Sequence, residues 1–380
     1  MGTPRQMIAL VLSLLLPLSA GAAPDMSAEA RAIIEELNLR EGRAVEPQRD
    51  DWRPRRVVVS LLPRLGIDAR EFEEALRAVA GDVELVFDRS GRFLPDAELL
   101  DGADGFIGLC TAPALKRADA TLRWLHNYSV GMDRCVGLSE RQKAEVVFTN
   151  NQHLSAPAIA EHTLAMLLAL ARNLPAYVRA QAEGEWDRAL ARSVTFGELK
   201  GRTLLVAGLG GIGTEVARRA HGLGMRVVAT RNSSREGPPF VEYVGLADEL
   251  HKLAGEADVV VNALPLTEKT TGLFDKAFFE AVKPGAIFIS VGRGRSTDTE
   301  ALMAALRSGR LFGAGLDVTD PEPLPADHPL WGMERVIITP HVAAAGSETD
   351  RRTMLIAVEN LRRYIAGEPM LNVVDIDRGY

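Results

Sequence analysis

The stretch "TLLVAGLGGIGTEVARRA", residues 203–220, decides the fold of this chain. An apolar run typical of a β-strand is followed by Gly208, Gly210 and Gly213, and then by a segment with helical spacing. In this order the first glycine permits a tight turn, the second lets the backbone approach a pyrophosphate, and the third lets helix and strand pack closely. The N-terminus of the helix adds unpaired N–H groups and positive potential. The stretch therefore predicts a strand–turn–helix unit that binds a dinucleotide.

Short apolar, β-branched runs recur on both sides of this unit, separated by helix-like or loop segments. Strands that alternate with helices predict a parallel sheet built by right-handed crossovers. The second series of runs, which begins with this unit, has the number of strands of a doubly wound dinucleotide fold. The predicted strands are 55–60, 83–87, 105–110, 122–127 and 145–150 in the first series, and 203–208, 226–230, 257–263, 286–291, 313–318 and 335–340 in the second.

The fold class is therefore α/β, with two Rossmann-like or flavodoxin-like domains that each contain a doubly wound parallel sheet. Residues 155–175 predict one helix, capped by Ser155 and with Pro157 in its first turn. This helix is apolar on nearly every face, so we expect it to be buried between domains or subunits. A last helix, from Ser347 to Ile365, is expected to return to the first domain and to make that domain discontinuous.

The predicted boundaries divide the chain into four parts. A polar lead-in precedes the first domain and carries one short helical pattern, at Ala30, Ile33, Ile34 and Leu37. The parts are a signal peptide at 1–23, the lead-in at 24–54, a substrate domain at 55–152 plus 342–376, and a dinucleotide-binding domain at 153–341.

The N-terminus has the layout of a secretory signal peptide. Arg5 lies in a short n-region, an apolar run extends from Met7 to Leu18, and small residues occupy Ala20 to Ala23. The apolar run is too short to span a membrane comfortably. We expect cleavage near the end of the small residues and export to the periplasm. The alternatives are an uncleaved anchor and a cytoplasmic protein that begins at Met26.

Composition excludes several classes of protein. The chain has 380 residues, of which 47% are apolar and 25% charged, as expected for about two globular domains. Its net charge of −7 and the lack of a long basic run argue against a nucleic-acid partner. Two cysteines, Cys110 and Cys135, are too few for a disulfide framework and lack metal-ligand spacing, so we expect two ordinary small apolar residues and no metal site.

The residue after the second strand of the dinucleotide fold bears on which dinucleotide binds. An acidic residue commonly stands there and accepts hydrogen bonds from a free ribose 2′-hydroxyl, but this chain has Arg231. A guanidinium can hold a 2′-phosphate by paired, charge-assisted hydrogen bonds. Asn232, Ser233, Ser234 and Arg235 add further donors. NADP(H) is therefore favoured, while NAD(H) stays open if Arg231 is only a solvated loop charge.

Three ionisable residues stand at strand ends or adjoining loops of the second domain: Arg293, Glu322 and His341. Ligands of such sheets bind beyond the carboxyl ends of the strands. An arginine can clamp a carboxylate and polarise a carbonyl, and a histidine oriented by a carboxylate can pass a proton near neutral pH. Together they predict hydride transfer coupled to proton transfer.

From about Arg55 to Val374 the chain resembles the D-isomer-specific 2-hydroxyacid dehydrogenases. Several stretches match in order along both predicted domains. They are "WLHNYSVGMD" (124–133), "IAEHTLAMLLALARNLP" (159–175), "LKGRTLLVAGLGGIG" (199–213), "VNALPLTEKTTGLFDKAFFEAVKPGAIFISVGRG" (261–294) and "GLDVTDPEPLPADHPLWGMERVIITPHVA" (315–343).

The resemblance implies roles for individual residues. Arg293 would bind the substrate carboxylate and keto oxygen, His341 would be the general acid/base, and Glu322 would pair with it. The backbone N–H groups of Ser129, Val130 and Gly131 would face the carboxylate. Cys110, in the substrate-loop stretch "GLCTAPALK", joins this substrate set, with packing as its other interpretation. The cofactor set is Gly208, Gly210, Gly211, Ile212, Gly213, Arg231, Asn232, Ser233, Leu264, Pro265 and Asp317, the last near the nicotinamide carboxamide.

These observations predict an NADP-dependent reductase that converts a small 2-oxo acid into the D-2-hydroxy acid, with glyoxylate and hydroxypyruvate as the first substrates to test. A bulkier acid, such as an aryl-pyruvate, stays open. A hypothesis from another class is a non-catalytic dinucleotide sensor or scaffold on the same fold. The resemblance also implies a homodimer, for which the helix around Ile159 to Leu170 is a candidate contact.

Overall fold

The structure, a computed structural model, describes residues 25–46, 53–61, 68–92, 95–192, 196–232 and 234–378. Within them the strands form two sheets, one of five strands and one of seven, and every recorded pairing within these sheets is parallel. The predicted α/β fold class is confirmed. The predicted signal peptide lies outside the described residues, and none of the helices described is both long and apolar enough to span a bilayer.

The five-stranded sheet has the order β2-β1-β3-β4-β5. Its central strands are buried on both faces, which explains their nearly continuous apolar sequence. All five strands predicted in this half are present. They are β1 (Arg56–Ser60), β2 (Glu84–Asp88), β3 (Gly105–Gly108), β4 (Trp124–Asn127) and β5 (Val147–Asn150).

The seven-stranded sheet has the order β12-β11-β10-β9-β6-β7-β8. The chain adds β7 and β8 on one side of β6 and β9 to β12 on the other, so the order of the strands switches between β6 and β9. The six strands predicted here are present, and the sheet has one more at its edge, β8, which contains the exposed Tyr243. The strands are β6 (Thr203–Ala207), β7 (Arg226–Arg231), β8 (Tyr243–Leu246), β9 (Val259–Asn262), β10 (Ala286–Ser290), β11 (Leu311–Leu316) and β12 (Val336–Ile338).

Helices cover both sheets, and one prediction about them is wrong. The single helix expected over 155–175 is two helices, because Asn173 takes a left-handed conformation with φ 57° between them. Ser155 is the N-cap residue of the first but makes no side-chain capping bond. The helices are α1 (Ala28–Glu36), α2 (Ala69–Ala80), α3 (Ala112–Arg117), α4 (Glu140–Glu145), α5 (Ala156–Ala171), α6 (Leu174–Ala182), α7 (Gly211–Gly222), α8 (Leu250–Glu256), α9 (Lys276–Ala281), α10 (Thr299–Arg307) and α11 (Ser347–Ala366).

Residues 25–46 of the lead-in belong to the folded core, since α1 forms where its helical pattern predicted and packs on α11. Ile33 of α1 joins Ile356 of α11 in one buried apolar cluster. The N–H of Gly42 donates to the carbonyl of Met370 over 2.8 Å. Helix α11 itself packs on α2 and β4, so the last helix covers the five-stranded sheet as expected.

His126 on β4 gives the stability of this sheet a pH dependence. Complete burial lowers the pKa of His126 to about 4 from its ordinary 6.5, with Nδ1 2.9 Å from Oγ1 of Thr149. Below about pH 6.5 the unfolded chain binds a proton that the native state does not, so stability falls as pH decreases toward 4. We expect this residue alone to remove on the order of 3 kcal/mol across that window.

Urea unfolding of the wild-type protein and of His126→Gln at several pH values would test this expectation. The free energy of unfolding of the variant should depend less steeply on pH between 6.5 and 4. Equal slopes for the two proteins would contradict the assignment, because carboxylate pairs contribute equally to both.

Candidate functional site

The glycine-rich turn between β6 and α7 has the geometry that its sequence predicted. Gly208 lies in the left-handed region, with φ 96°. A Cβ at Gly213 would lie 2.0 Å from the carbonyl oxygen of Gly208, so only glycine permits this approach of helix to strand. A Cβ at Gly210 would meet nothing within 4 Å. The space beside Gly210 and the free N-terminus of α7 fit a pyrophosphate group.

Two loops border this turn. Leu264 follows β9, the sheet neighbour of β6, and its Cδ2 would lie 3.0 Å from a Cβ at Gly208. Its amide donates to Oδ1 of Asn262 over 3.1 Å, and Pro265 comes next in the chain. On the other side, the ring of His153 fills the space next to Gly211, where a Cβ would lie 2.8 Å from Nδ1. The predicted cofactor residues of these segments are therefore brought together.

Arg231 ends β7 and lies beside the same turn. Its Nε–H donates to the carbonyl of Leu209 over 3.1 Å, and Nη1 donates to the carbonyl of Glu236 over 3.0 Å. These bonds hold the guanidinium between the glycine turn and the loop after β7. Arg235, expected to be a further phosphate donor, instead pairs with Glu249 at 2.6 Å. Asn232 is exposed in this loop, and Ser233 lies outside the described residues.

His341 and Glu322 form the pair that the sequence predicted. The distance between Nδ1 of His341 and Oε1 of Glu322 is 2.7 Å. An ionised carboxylate only accepts hydrogen bonds, so Nδ1 carries the proton and Nε2 is left for a reacting group. The two side chains are about two-fifths exposed, at 42% and 40%, as a group that meets a substrate must be. His341 lies in the left-handed region, with φ 54°.

Asp317, at the end of β11, holds the loop that carries His341. Its carboxylate is 3% exposed and accepts hydrogen bonds from Oγ1 of Thr339 over 2.6 Å and from the amides of Val342 and Ala343 over 3.0 and 3.1 Å. Its carbonyl accepts from the amide of His341 over 2.9 Å. Asp317 thus fixes the backbone on both sides of the histidine.

Arg293 follows β10 and reaches across to the loop after β4. Its Nε–H donates to Oδ1 of Asp133 over 3.2 Å, and Nη1 donates to the carbonyl of Gly292 over 3.0 Å. A Cβ at Gly131 would lie 2.0 Å from Nη2. The guanidinium therefore lies directly against the loop expected to bind a carboxylate.

That loop presents its amides and not its carbonyls. Asn127 Nδ2 donates to the carbonyls of Ser129 and Gly131 over 3.2 and 3.0 Å, and Asn150 Nδ2 donates to the carbonyl of Val130 over 2.7 Å. Among the residues that the structure describes, none accepts a hydrogen bond from the amide of Ser129, Val130 or Gly131. Three N–H groups without an acceptor among the described residues, beside a guanidinium, can bind an anion.

The two cysteines are joined, so the prediction that both are ordinary apolar residues is wrong. Cys110 follows β3 and Cys135 lies in the loop after the neighbouring β4, with a Cα–Cα distance of 5.1 Å. Loops that follow adjacent parallel strands emerge at one sheet edge, which brings the two residues together although 25 positions separate them. Cys110 is 1% exposed, so any influence on a substrate acts through its loop.

Sequence reasoning missed the residues that support this site: Asp133, Asn127 and Asn150. Asp133 and Asn127 stand inside the stretch "WLHNYSVGMD". The partner of Asp133 lies 160 positions away, so no local pattern marked its role, whereas Asn127 bonds to the nearby Gly131, the one local signal among the three. Within the described ranges no group of three His, Cys, Asp or Glu side chains is placed to hold a metal ion.

Comparison with known proteins points in the same direction. A family described as "D-isomer specific 2-hydroxyacid dehydrogenase, NAD binding domain" matches residues 164–343. A glyoxylate reductase of Korarchaeum cryptofilum is 35% identical over 73% of this chain and 84% of its own length. A glyoxylate reductase/hydroxypyruvate reductase of Mus musculus is 34% identical over 78% and 92%. A D-isomer specific 2-hydroxyacid dehydrogenase of Xanthobacter autotrophicus, solved with NADPH and MES, is 30% identical, with a TM-score of 0.71 over 87% of this chain and 100% of that one.

Proposed function

Because the chain belongs to the D-isomer-specific 2-hydroxyacid dehydrogenase family, we propose that it reduces a small 2-oxo acid, such as glyoxylate or hydroxypyruvate, with NADPH as the favoured reductant. It is an oxidoreductase that acts on the CH–OH group with NAD or NADP as acceptor. The observation that carries the proposal is the His341–Glu322 pair at 2.7 Å. Glu322 follows β11, and Arg293 follows β10, the strand next to β11 in the same sheet.

The cofactor would lie along the carboxyl edge of the seven-stranded sheet. Gly208, Gly210, Gly211, Ile212 and Gly213 would hold the pyrophosphate, and Leu264 with Pro265 would border it. Arg231, with Asn232 and Ser233, would hold the 2′-phosphate, and Asp317 would lie near the nicotinamide carboxamide. When bound, this cofactor supplies the hydride that reduces C2 of the substrate.

The chain's own residues would bind the substrate and move its proton. The amides of Ser129, Val130 and Gly131 would hold the carboxylate, and Arg293 would hold both carboxylate and keto oxygen. Glu322 would keep the His341 ring oriented through Nδ1, so that protonated Nε2 gives its proton to the keto oxygen as the D-2-hydroxy acid forms. The guanidinium would also stabilise the negative charge that develops on that oxygen.

We propose that residues 55–152 with 342–376 form the substrate domain and 153–341 the dinucleotide-binding domain. The loop of Ser129 to Gly131 then belongs to the substrate domain. Arg293 belongs to the dinucleotide-binding domain, and His341 is the last residue of that domain. Closure of the cleft between them would bring the two halves of the site together and exclude water.

The proposed reaction is tested with the purified chain beginning at Met26, by following the absorbance of NADPH and, separately, NADH. Glyoxylate, hydroxypyruvate and phenylpyruvate are offered in turn. We expect NADPH to be oxidised with at least about tenfold higher kcat/KM than NADH, as one charge-assisted contact to the 2′-phosphate would give. Tight NADPH binding without turnover of any acid would favour the non-catalytic sensor.

Arg231→Ser tests the cofactor preference directly. We expect kcat/KM for NADPH to fall about 10- to 100-fold while the value for NADH stays within about threefold, because only NADPH carries the phosphate. Arg235→Ser is the matched control in the same loop, since Arg235 pairs with Glu249. An equal loss with both cofactors would mean that Arg231 only maintains the turn.

Two further proposals concern the protein's state in the cell. We propose a homodimer, as the family resemblance implies, with contacts from the apolar side chains that α5 and α6 leave exposed, among them Leu168 and Val178; light scattering tests it.

We also propose export, because disulfides such as Cys110–Cys135 persist in oxidising compartments. Cell fractionation, with a cytosolic marker as control, tests the location.

A further inference from the structure

The ion pair between Asp133 and Arg293 joins two loops that follow strands of different sheets. Asp133 belongs to the loop after β4 and Arg293 follows β10, and 160 positions separate the two residues in the sequence. Their side chains are only 26% and 23% exposed, so the pair is more shielded than a surface salt bridge. A carboxylate next to an anion-binding arginine repels the anion, so its presence there needs a reason.

The hydrogen bonds of the Arg293 guanidinium explain why a carboxylate stands beside it. Oδ1 of Asp133 accepts the Nε–H, and the carbonyl of Gly292 accepts from Nη1. Nη2, on the same side of the guanidinium as Nε–H, lies against Gly131 in the loop of Ser129 to Gly131. Two fixed acceptors thus determine both the position and the rotation of a long side chain that has many rotamers of its own.

We propose that Asp133 is the positioning residue of Arg293: it holds Nε–H so that the neighbouring Nη2 is already aimed at the substrate carboxylate before substrate arrives. This inference rests on the proposed function, in which Arg293 binds the 2-oxo acid. In this role Asp133 acts on the substrate through Arg293. Its contribution is orientation, which a well-placed binding group converts into rate as well as affinity.

Substitution kinetics with glyoxylate and NADPH test the proposal. We expect Asp133→Ala to lower kcat/KM about 30-fold, through a higher KM and a lower kcat, because an acceptor bonded to a charged donor is lost. Asp133→Asn keeps an oxygen that can accept the Nε–H, and we expect it to stay within about threefold of wild type. Asp101→Ala is the matched control, since Asp101 forms an exposed pair with Arg117 of α3.

A double-mutant cycle separates positioning from a structural role. Lysine at 293 keeps the positive charge but has no Nε–H to be held. In the Arg293→Lys background, Asp133→Ala should therefore cost less than about threefold in kcat/KM. An equal 30-fold loss in both backgrounds would overturn the proposal, and so would tighter glyoxylate binding in Asp133→Ala, which would make Asp133 a competitor of the substrate.

A spectroscopic readout keeps this test independent of turnover. The side-chain Nε–H resonance of Arg293, assigned by its absence in Arg293→Lys, should be visible and slow to exchange in the wild-type protein and in Asp133→Asn, and lost in Asp133→Ala. Persistence in Asp133→Ala would overturn the proposal. If the wild-type protein reduced no 2-oxo acid, the proposed function would fail, and this resonance would still show whether Asp133 holds the guanidinium.

Discussion

Replacement of His341 with glutamine is expected to lower kcat about 10³-fold, within the range that general acid catalysis supplies. Glutamine is close in size and can still bond to Glu322, but it cannot deliver a proton to the keto oxygen. NADPH binding should be unchanged, because the predicted cofactor contacts lie in other segments. Steady-state kinetics with glyoxylate and a fluorescence titration with NADPH measure the two quantities.

His221→Gln is the matched control, since His221 lies on α7 near Phe240 and far from the pair with Glu322. It should retain full turnover. If His341→Gln kept more than about a tenth of the wild-type kcat, a different group would supply the proton. If both variants and the wild-type protein bound NADPH equally and turned over nothing, the chain would be a sensor and not an enzyme.

Removal of the Cys110–Cys135 disulfide is expected to lower the free energy of unfolding by about 3 to 4 kcal/mol, the loop-closure entropy for a separation of 25 residues. We expect a higher KM for the 2-oxo acid as well. The disulfide ties the loop after β3 to the loop that presents Ser129 to Gly131, and Cys110 also donates its amide to Oδ1 of Asn127 over 3.1 Å. Both effects are measured with the Cys110→Ser/Cys135→Ser variant.

Chemical reduction provides the control for this experiment. Dithiothreitol should shift the unfolding midpoint of the wild-type protein to that of the double variant and should leave the double variant itself unchanged. A midpoint that moves in neither protein would show that the cysteines are not joined in solution. A stable double variant with an unchanged KM would show that Asn127 and Asn150 fix the loop of Ser129 to Gly131 without the disulfide.

The strands could be predicted because their physical cause is local. Thr203–Ala207 is buried throughout and apolar after its first residue, as burial on both faces of a parallel sheet favours. Strand β8 escaped because Tyr243–Leu246 pairs only at the sheet edge and keeps an exposed tyrosine. The break at Asn173 escaped because the apolar pattern continues across it, and a single left-handed residue leaves no periodic trace.

Some residues of the candidate site could be predicted from the sequence, and the residues that orient them could not. Arg293, Glu322 and His341 stand directly after strands or in ordered motifs, so topology alone assigns them to one sheet edge. The partners that orient them were not predictable, because Asp133 meets Arg293 only when two distant segments of the chain fold together. The disulfide depends in the same way on the adjacency of β3 and β4, which spacing along the chain does not reveal.

The packing of the first helix on the last has a consequence for the order of folding during synthesis. Glu36 and Arg352 pair although 316 positions separate them, and Tyr364 of α11 packs on Trp124 of β4 with ring centroids 5.0 Å apart. The strands of the five-stranded sheet thus leave the ribosome long before the helix that covers one of their faces. The seven-stranded sheet, built from one continuous segment, is complete first. The face of the five-stranded sheet that α11 covers therefore stays without that cover while the whole seven-stranded sheet is being synthesised.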